Sequence, residues 1–270
     1  MNGDFQVNDN TKKWKVNSVA KAMSLLDQFS EEEPELSLAQ LSSRANTPKT
    51  TVFNLVKTLE DGEFLRKSDF SQNYLLGLKL FEMGYWVKNS LSIISYAIPL
   101  MEEVMRETGE ITYLSSVYKD KILILEGVYP QRRDVAYAMS GRTRAMHCCS
   151  AGKAMLAYLP KTMVDRILNH CGMPPHTSNT ITDPIRMHEE LERIRQRGYS
   201  TDMEEESYRV RCASVTIRDY QGVSVGAISI SGTVRAMTEE KIQRSIPALE
   251  KASRFLSQKV NMFPAVYMED

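Results

Sequence analysis

Residues 46–62 read NTPKTTVFNLVKTLEDG and predict one helix with both ends marked. Thr47 is expected to cap the N-terminus with its hydroxyl, and Pro48 suits the first helical position, where no amide hydrogen is needed. Gly62 is expected to end the helix. The apolar residues recur at spacings of three and four and therefore share one face: Val52, Leu55, Val56 and Leu59.

The opposite face of this helix begins with polar side chains. Lys49, Thr50 and Thr51 lie in the first turn, and Asn54 follows one turn later. A cation, two hydroxyls and an amide at the positive end of a helix suit phosphate oxygens and base edges. An ordinary solvated helix surface has the same pattern. The neighbouring segments are therefore needed to distinguish a DNA-binding helix from a surface helix.

A second, shorter helix is predicted just upstream, over residues 36–45 (LSLAQLSSRA), with Ser37 as its cap. Its inward residues are expected to be Leu38, Leu41 and Ala45. Only Asn46 and Thr47 connect the two helices, which is the short turn that a helix-turn-helix requires.

Two short strands are predicted downstream, over residues 64–67 (FLRK) and 74–76 (YLL), around the turn SDFSQN. Such a hairpin forms a wing, and Arg66 and Lys67 would be available to backbone phosphates. Helix, turn, helix and wing follow in order, so the sequence predicts a winged helix-turn-helix.

Composition suits two folded domains. The chain has 270 residues, 42% of them hydrophobic, and contains no run of about 18 apolar residues that would span a membrane. The polar N-terminus lacks a signal-peptide stretch. Four cysteines, with Cys148 and Cys149 adjacent, make a poor disulfide framework, so we expect a reducing cytoplasm.

The formal net charge is zero, so the local distribution of charge is a better guide to DNA binding than the total. A basic arm precedes and enters the first helix, with no acid between residues 11 and 26: Lys12, Lys13, Lys15 and Lys21. This arm is either a DNA contact or an ordinary solvated terminus, and the residues leave both open.

The rest of the first domain continues the pattern. A first helix is predicted over residues 16–29, with an inward stripe of Val19, Ala22, Met23, Leu26 and Phe29. Residues 13–77 form the predicted winged-helix domain. Residues 78–91 form a linker helix that is apolar on most of its circumference, and such a helix needs a partner on more than one side. We expect it to pair with a second subunit, because a dimer reads a two-fold operator.

Residues 92–260 are expected to form an α+β effector-binding domain, with helices against one antiparallel sheet. The predicted strands are 111–117, 121–128, 135–139, 211–218 and 223–231. The predicted helices are 93–108 with a kink at Pro99, 150–158, 163–170, 184–197 and 238–260, the last interrupted by Pro247.

Four stretches resemble the IclR family of bacterial transcription factors: LSLAQLSSRANTPKTTVFNLVKTLEDGEFL, SGRTRAMHCCSAGKAMLA, ITDPIRMHEELERIRQRGYSTDMEEE and RCASVTIRDYQGVSVGAISISG. The resemblance implies a winged-helix domain joined to a GAF-like ligand domain. It also implies control of operator binding, more often repression, by a small carboxylate or sugar acid. The implied partners are double-stranded DNA with a palindromic or pseudo-palindromic operator and a second copy of the chain, commonly in a dimer of dimers.

The implied effector site begins at Ser150 and Ala151, which open a predicted helix whose free amides favour an anion. A nucleotide P-loop is excluded because His147 stands where its first glycine would be. The family's other pocket positions match Asp202, Cys212, Ser229 and Ser231. Ser229 and Ser231 are two apart on a strand and face the same way, although serines also tile solvated sheet faces.

The chain departs from the family pattern in places. Asn54 stands where a basic residue is usual, so the operator is expected to differ, because Asn reads adenine. Other departures are Ala145, Arg209, Ser214 and Thr216. We expect the fold to survive these changes, but the identity of the effector does not carry over.

Two other functions remain to be weighed. An enzyme or zinc protein would use the histidines and cysteines of the second domain: His147, Cys148, Cys149, His170, Cys171, His176 and Cys212. None has C-x-x-C or H-E-x-x-H spacing, so we expect no catalytic residue, cofactor or metal. A metabolite sensor acting through protein partners is the other alternative, and the complete helix-turn-helix argues against it.

Overall fold

The structure is a computed structural model that describes residues 16–131, 139–259 and 261. The chain divides into two compact units, Met1–Val87 and Lys88–Asp270.

The first unit contains the predicted helix-turn-helix and wing. Its elements are α1 (Asn17–Leu26), α2 (Leu38–Arg44), α3 (Lys49–Asp61), β1 (Leu65–Lys67) and β2 (Tyr74–Leu76), and α4 (Leu78–Ser90) runs across the division between the units. The two strands pair antiparallel, as the wing prediction requires. One core holds these elements together, formed by Leu25, Leu36, Leu41, Val52, Val56, Leu65 and Tyr74.

The ends of α2 and α3 are formed differently from one another. Ser37 caps α2 as predicted, in a capping box with Gln40. The prediction that Thr47 caps α3 is wrong: Pro48 is the N-cap residue, and Thr47 is buried with its hydroxyl donating to the Ala45 carbonyl at 2.9 Å. The hydroxyl therefore fastens the turn. Gly62 does end α3.

The predicted inward stripe of α1 is wrong in part. Ala20 and Leu25 are the buried residues of this helix, whereas Val19 and Met23 are each about half exposed. Leu26 and Phe29 pack against the core as expected. Apolar residues lie on more than one face of α1, so spacing alone could not tell which face meets α3.

The second unit is a six-stranded antiparallel sheet with helices on it, which confirms the predicted α+β class. Its helices are α5 (Ser92–Thr108), α6 (Ser150–Leu156), α7 (Lys161–Cys171), α8 (Pro184–Arg197) and α9 (Glu239–Ser257). Its strands are β3 (Ile111–Tyr118), β4 (Lys121–Val128), β5 (Thr143–Arg144), β6 (Ser200–Met203), β7 (Val210–Arg218) and β8 (Ser224–Thr233). The strand order is β5-β4-β3-β8-β7-β6.

Three details differ from the predicted elements. The strand predicted at 135–139 lies outside the described residues except for Met139, which is not in a strand. Strands β5 and β6 were not predicted, because they have only two and four residues. Pro247 does not interrupt α9: the helix continues through it, since the buried Ile246 and Leu249 hold both sides to the core.

The sheet buries a different set of residues on each face. Ile228 and Ile230 of β8 pack with α5 and α9 in one core, together with Met101 and Leu249. The other face carries the core of α6, α7 and α8. Ser229 alternates with the two isoleucines and so points to this second face. Within the described residues, no helix is long and apolar enough to cross a membrane.

Candidate nucleic-acid interface and ligand cavity

The outward face of α3 carries a line of polar side chains. Thr50, Asn54 and Lys57 follow at i, i+4 and i+7 and are exposed, opposite the buried Val52 and Val56. The predicted contacts Lys49 and Thr51 are also exposed and flank this line. Lys57 was not predicted as a contact because it lies past the first turn; it forms an ion pair with Glu60 at 2.6 Å.

The wing places its predicted cations at the surface. Arg66 and Lys67 are exposed on β1, and Lys67 Nζ lies 6.0 Å from the centre of the Tyr74 ring. Phe70 at the tip is 99% exposed, and the sequence reasoning missed it. Lys12, Lys13 and Lys15 of the basic arm lie outside the described residues.

Helix α4 has no buried residue, which is unusual for so apolar a segment. Six large apolar side chains on it are exposed: Leu78, Phe81, Met83, Tyr85, Trp86 and Val87. Val16, Val19 and Met23 of the first helical segment are exposed as well. The first unit therefore leaves many large apolar side chains exposed.

The second unit contains a cavity of about 500 Å³. It lies between the start of α6 and the sheet face to which Ser229 points. This volume suits a small organic molecule. Alternate residues of the strands line it, as expected when one face of a sheet forms the wall: Ile111, Tyr113, Ser115, Ser229, Ser231 and Thr233.

Five of the six predicted effector residues line this cavity: Ser150, Ala151, Cys212, Ser229 and Ser231. The Cys212 thiol donates to Ser231 Oγ at 3.2 Å, and burial raises its pKa. The sixth is Asp202, and it is not among the described residues that line the cavity. Its buried carboxylate accepts from the Glu205 amide at 2.6 Å instead.

Two glycines near the cavity stand where a side chain would collide with its neighbours. A Cβ on Gly152 would lie 2.2 Å from the Met146 carbonyl oxygen, so α6 packs directly against the preceding backbone. A Cβ on Gly232 would lie 2.2 Å from Glu110 Oε2. Glu110 lines the cavity and forms an ion pair with Lys241.

An ion pair in the cavity wall was missed by the sequence reasoning. Arg144 Nε lies 3.1 Å from Glu206 Oε1, and both residues line the cavity. Burial raises the pKa of Glu206, and the nearby Arg144 acts in the opposite direction. A partly buried guanidinium is a natural partner for a ligand carboxylate.

A second charged pair is buried beneath α6. The side chain of Lys153 is almost completely buried and pairs with Glu205. Burial also raises the pKa of Asp202 to about 7. The Lys153–Glu205 pair connects α6 to the segment after β6. Removing either residue would leave an uncompensated buried charge, which would be strongly destabilising.

The structure brings some histidines and cysteines together. Ligand atoms of His147, Cys148 and His176 all lie within 4.8 Å of one another. The same holds for Asp120, His170 and Cys171. Burial raises the pKa of Cys148 to about 12 and lowers the pKa of His147.

The winged helix-turn-helix defines the class of DNA-binding regulators, and the separate sheet unit adds a ligand-sized cavity. Comparison with known families identifies which one. Residues 18–69 match the IclR helix-turn-helix domain, and residues 86–258 match the C-terminal domain of bacterial IclR transcriptional regulators. The chain belongs to the IclR family, as its sequence motifs suggested, and is a transcriptional regulator rather than an enzyme.

Curated proteins named as transcriptional regulators match this chain over most of its length and most of theirs. The chain is 29% identical over 245 residues to the regulator KdgR of Escherichia coli, covering 91% of this chain and 93% of KdgR. It is 30% identical over 250 residues to KipR of Bacillus subtilis, covering 90% and 96%. It is 27% identical over 241 residues to the transcriptional repressor IclR of E. coli, covering 88% of each.

Solved structures share the fold. The IclR protein of Thermotoga maritima has a TM-score of 0.69 at 28% identity, covering 90% of this chain and 98% of that one. An IclR homologue from Microbacterium hydrocarbonoxydans, crystallised with 4-hydroxybenzoate, has a TM-score of 0.74 at 21% identity, covering 90% and 99%.

Proposed function

We propose that this protein is a repressor that binds a palindromic or pseudo-palindromic operator as a homodimer and releases it in response to a small organic acid. The observation that carries the proposal is the exposed polar line on α3, opposite a face that is fully used for packing. A helix so held has its outer face available to the major groove.

The proposed DNA contacts are Lys49, Thr50, Thr51, Asn54 and Lys57 on α3, with Arg66 and Lys67 on the wing. Asn54 is the base-reading candidate, because an amide bonds both adenine edge groups. The lysines and Arg66 would position the protein on phosphates. Thr47 is left out of the proposed surface, since it is buried and its hydroxyl is used within the turn.

The proposed homodimer follows from the apolar surface of α4. Six large apolar side chains on one helix are costly to leave in water, at about 25 cal/mol per Å² of apolar area. A second copy would cover them with the same surface, as a two-fold interface requires. Pairing of two dimers into a tetramer is part of the proposal and rests on the family resemblance.

The proposed effector is a small carboxylate or sugar acid. The cavity offers hydroxyls for an acid bearing its own hydroxyls, from Ser115, Ser229, Ser231 and Thr233. Arg144 and the first-turn amides of α6 offer positive charge to a carboxylate. The homologue crystallised with 4-hydroxybenzoate holds a hydroxylated carboxylate, which supports this choice of class.

Repression is proposed because relatives are repressors by name: the transcriptional repressor IclR of E. coli and the acetate operon repressor of Salmonella typhimurium. The proposed working domains are residues 13–77, 78–91 and 92–260, in the order DNA binding, linker and effector binding. The proposed compartment is the cytoplasm, where an operator would be reached.

Selection from a random duplex library would test the proposal. The purified protein should enrich one sequence with two related halves whose centres are about one helical turn, or a multiple of it, apart. Addition of an organic acid that raises the melting temperature should release the enriched duplex. Failure to enrich any sequence would contradict operator binding, and a duplex retained with every stabilising acid would contradict effector release.

A further inference from the structure

We propose that His147, Cys148 and His176 form a zinc site in the second unit. The sequence predicted no metal, because His176 lies 28 residues from Cys148 and no familiar spacing links them. The fold removes this objection, since ligand atoms of the three residues lie within 4.8 Å of one another.

These distances are close to those of a zinc site. Zinc binds sulfur at about 2.3 Å and nitrogen at about 2.0–2.1 Å in a tetrahedron, so its ligand atoms stand roughly 3.3–3.7 Å apart. Side-chain adjustment of roughly 1 Å would therefore complete the arrangement. One thiolate and two imidazoles are a soft set that favours zinc over magnesium or calcium.

A hydrogen bond of His147 determines which of its ring nitrogens is free to bind a metal. His147 Nε2 lies 3.0 Å from the carbonyl oxygen of Pro174. A carbonyl only accepts, so Nε2 carries the proton and Nδ1 is the basic nitrogen. Ligating histidines usually donate their other N–H to a backbone carbonyl or carboxylate in this way.

The segment that carries His176 is held in place by hydrogen bonds on its C-terminal side. Thr177 Oγ1 donates to the Glu204 carbonyl at 2.6 Å, and Thr180 Oγ1 donates to the Glu205 carbonyl at 2.6 Å. The His176 amide in turn donates to Thr180 Oγ1 at 3.1 Å. The backbone that carries this histidine is thus held in place before any ion arrives, which lowers the cost of binding.

The surrounding charges favour a cation. Glu206 interacts electrostatically with both Cys148 and His176. Three acidic groups, Asp202, Glu205 and Glu206, face two cations, Lys153 and Arg144, in this part of the unit. With three protein ligands, the fourth position is left to water on the exposed His176 side.

A second cluster, Asp120, His170 and Cys171, is the competing location. Its groups already have partners, because the Asp120 carboxylate is 3.3 Å from Arg166 Nη2 and 3.1 Å from His170 Nδ1. Zinc would have to displace these ion pairs. The His147 cluster carries no such carboxylate pair among its three members, so it is the preferred site.

Competition titration with a chromophoric zinc chelator tests the site on the metal-free full-length protein. We expect one zinc per chain, and His176→Ala should weaken binding more than about 100-fold, since even outer-shell partners are worth 10–100-fold. His170→Ala is the matched control and should bind as the wild type does. Loss in His170→Ala with retention in His176→Ala, or no stoichiometric zinc in the wild type, would overturn the proposal.

Cobalt substitution gives a second readout. Wild-type protein with Co²⁺ should show the thiolate-to-metal charge-transfer band of a tetrahedral site, and Cys148→Ser should remove it. A band that persists in Cys148→Ser would overturn the assignment of the sulfur ligand. Because His176 is exposed, the His176→Ala protein should fold normally. If Cys148→Ser does not fold because Cys148 is buried, zinc binding by His176→Ala still tests the site.

Discussion

Arg144 and Glu206 face each other across 3.1 Å in the cavity wall, between β5 and the segment before β7. Burial alone would favour the neutral acid, and the guanidinium opposes it. A ligand carboxylate entering the cavity would compete with Glu206 for the same guanidinium. On the proposed function, the pair would therefore link the presence of an anion to the position of the segment that carries Glu206.

Glu206→Gln should strengthen the binding of small carboxylates by about 10-fold, or about 1.4 kcal/mol, because it removes a like charge and releases Arg144. Arg144→Met should weaken the same binding. Isothermal calorimetry with the organic acid that raises the melting temperature most would measure both. The amide analogue of that acid is the control, and an equal gain for the amide would contradict the role of charge.

Asp202→Asn should make the second unit more stable at pH 8 than the wild type, with little difference at pH 4. The pKa of Asp202 is raised to about 7 from an ordinary 3.8, so the folded state holds a proton that the unfolded state releases. Stability then falls as pH rises from about 4 to 7, by an amount on the order of 4 kcal/mol.

Asn keeps an acceptor for the Glu205 amide, so the substitution tests the charge alone. Melting temperatures across this pH range, with a chelator present, would check the prediction. A wild-type melting temperature that rises steadily between pH 4 and 7 while the variant's is flat would show that the sign is wrong.

Phe81→Asp should dissociate the proposed dimer, because it places a charge in the apolar surface of α4 where Phe81 is 77% exposed. Sedimentation velocity should find monomer at concentrations where the wild type is dimeric. Tyr220→Asp is a matched control, since Tyr220 is an aromatic residue that is 87% exposed but lies on the β7–β8 turn. A Phe81→Asp protein that sediments as the wild type does would contradict the interface.

Local patterns in the sequence predicted those parts of the fold that depend on near neighbours. The Ser37 cap, the end of α3 at Gly62 and the two paired wing strands follow from residues a few positions apart. The buried face of α1 did not, because apolar residues on several faces leave the choice to packing against α3.

The cavity was only partly predictable for the same reason. Ser229 and Ser231 were found from the family's pocket positions, and their spacing of two on a strand places them on the same face. Asp202 lies opposite Cys212 in the pairing of β6 with β7, but its carboxylate accepts a hydrogen bond from the Glu205 amide. Strand periodicity does not show this contact. Arg144 and Glu206 are 62 positions apart, so only the closed sheet unit brings them together.

Fluorescence anisotropy of the library-selected duplex against a shuffled duplex tests operator recognition through α3 most directly. The selected duplex should bind at least about 1,000-fold more tightly, with affinity that falls steeply as salt rises. Asn54→Ala should lose 1–3 kcal/mol, about 5- to 150-fold, while Gln221→Ala on the exposed β7–β8 turn should change nothing. Equal affinity of the wild type for both duplexes at every salt concentration would contradict the account.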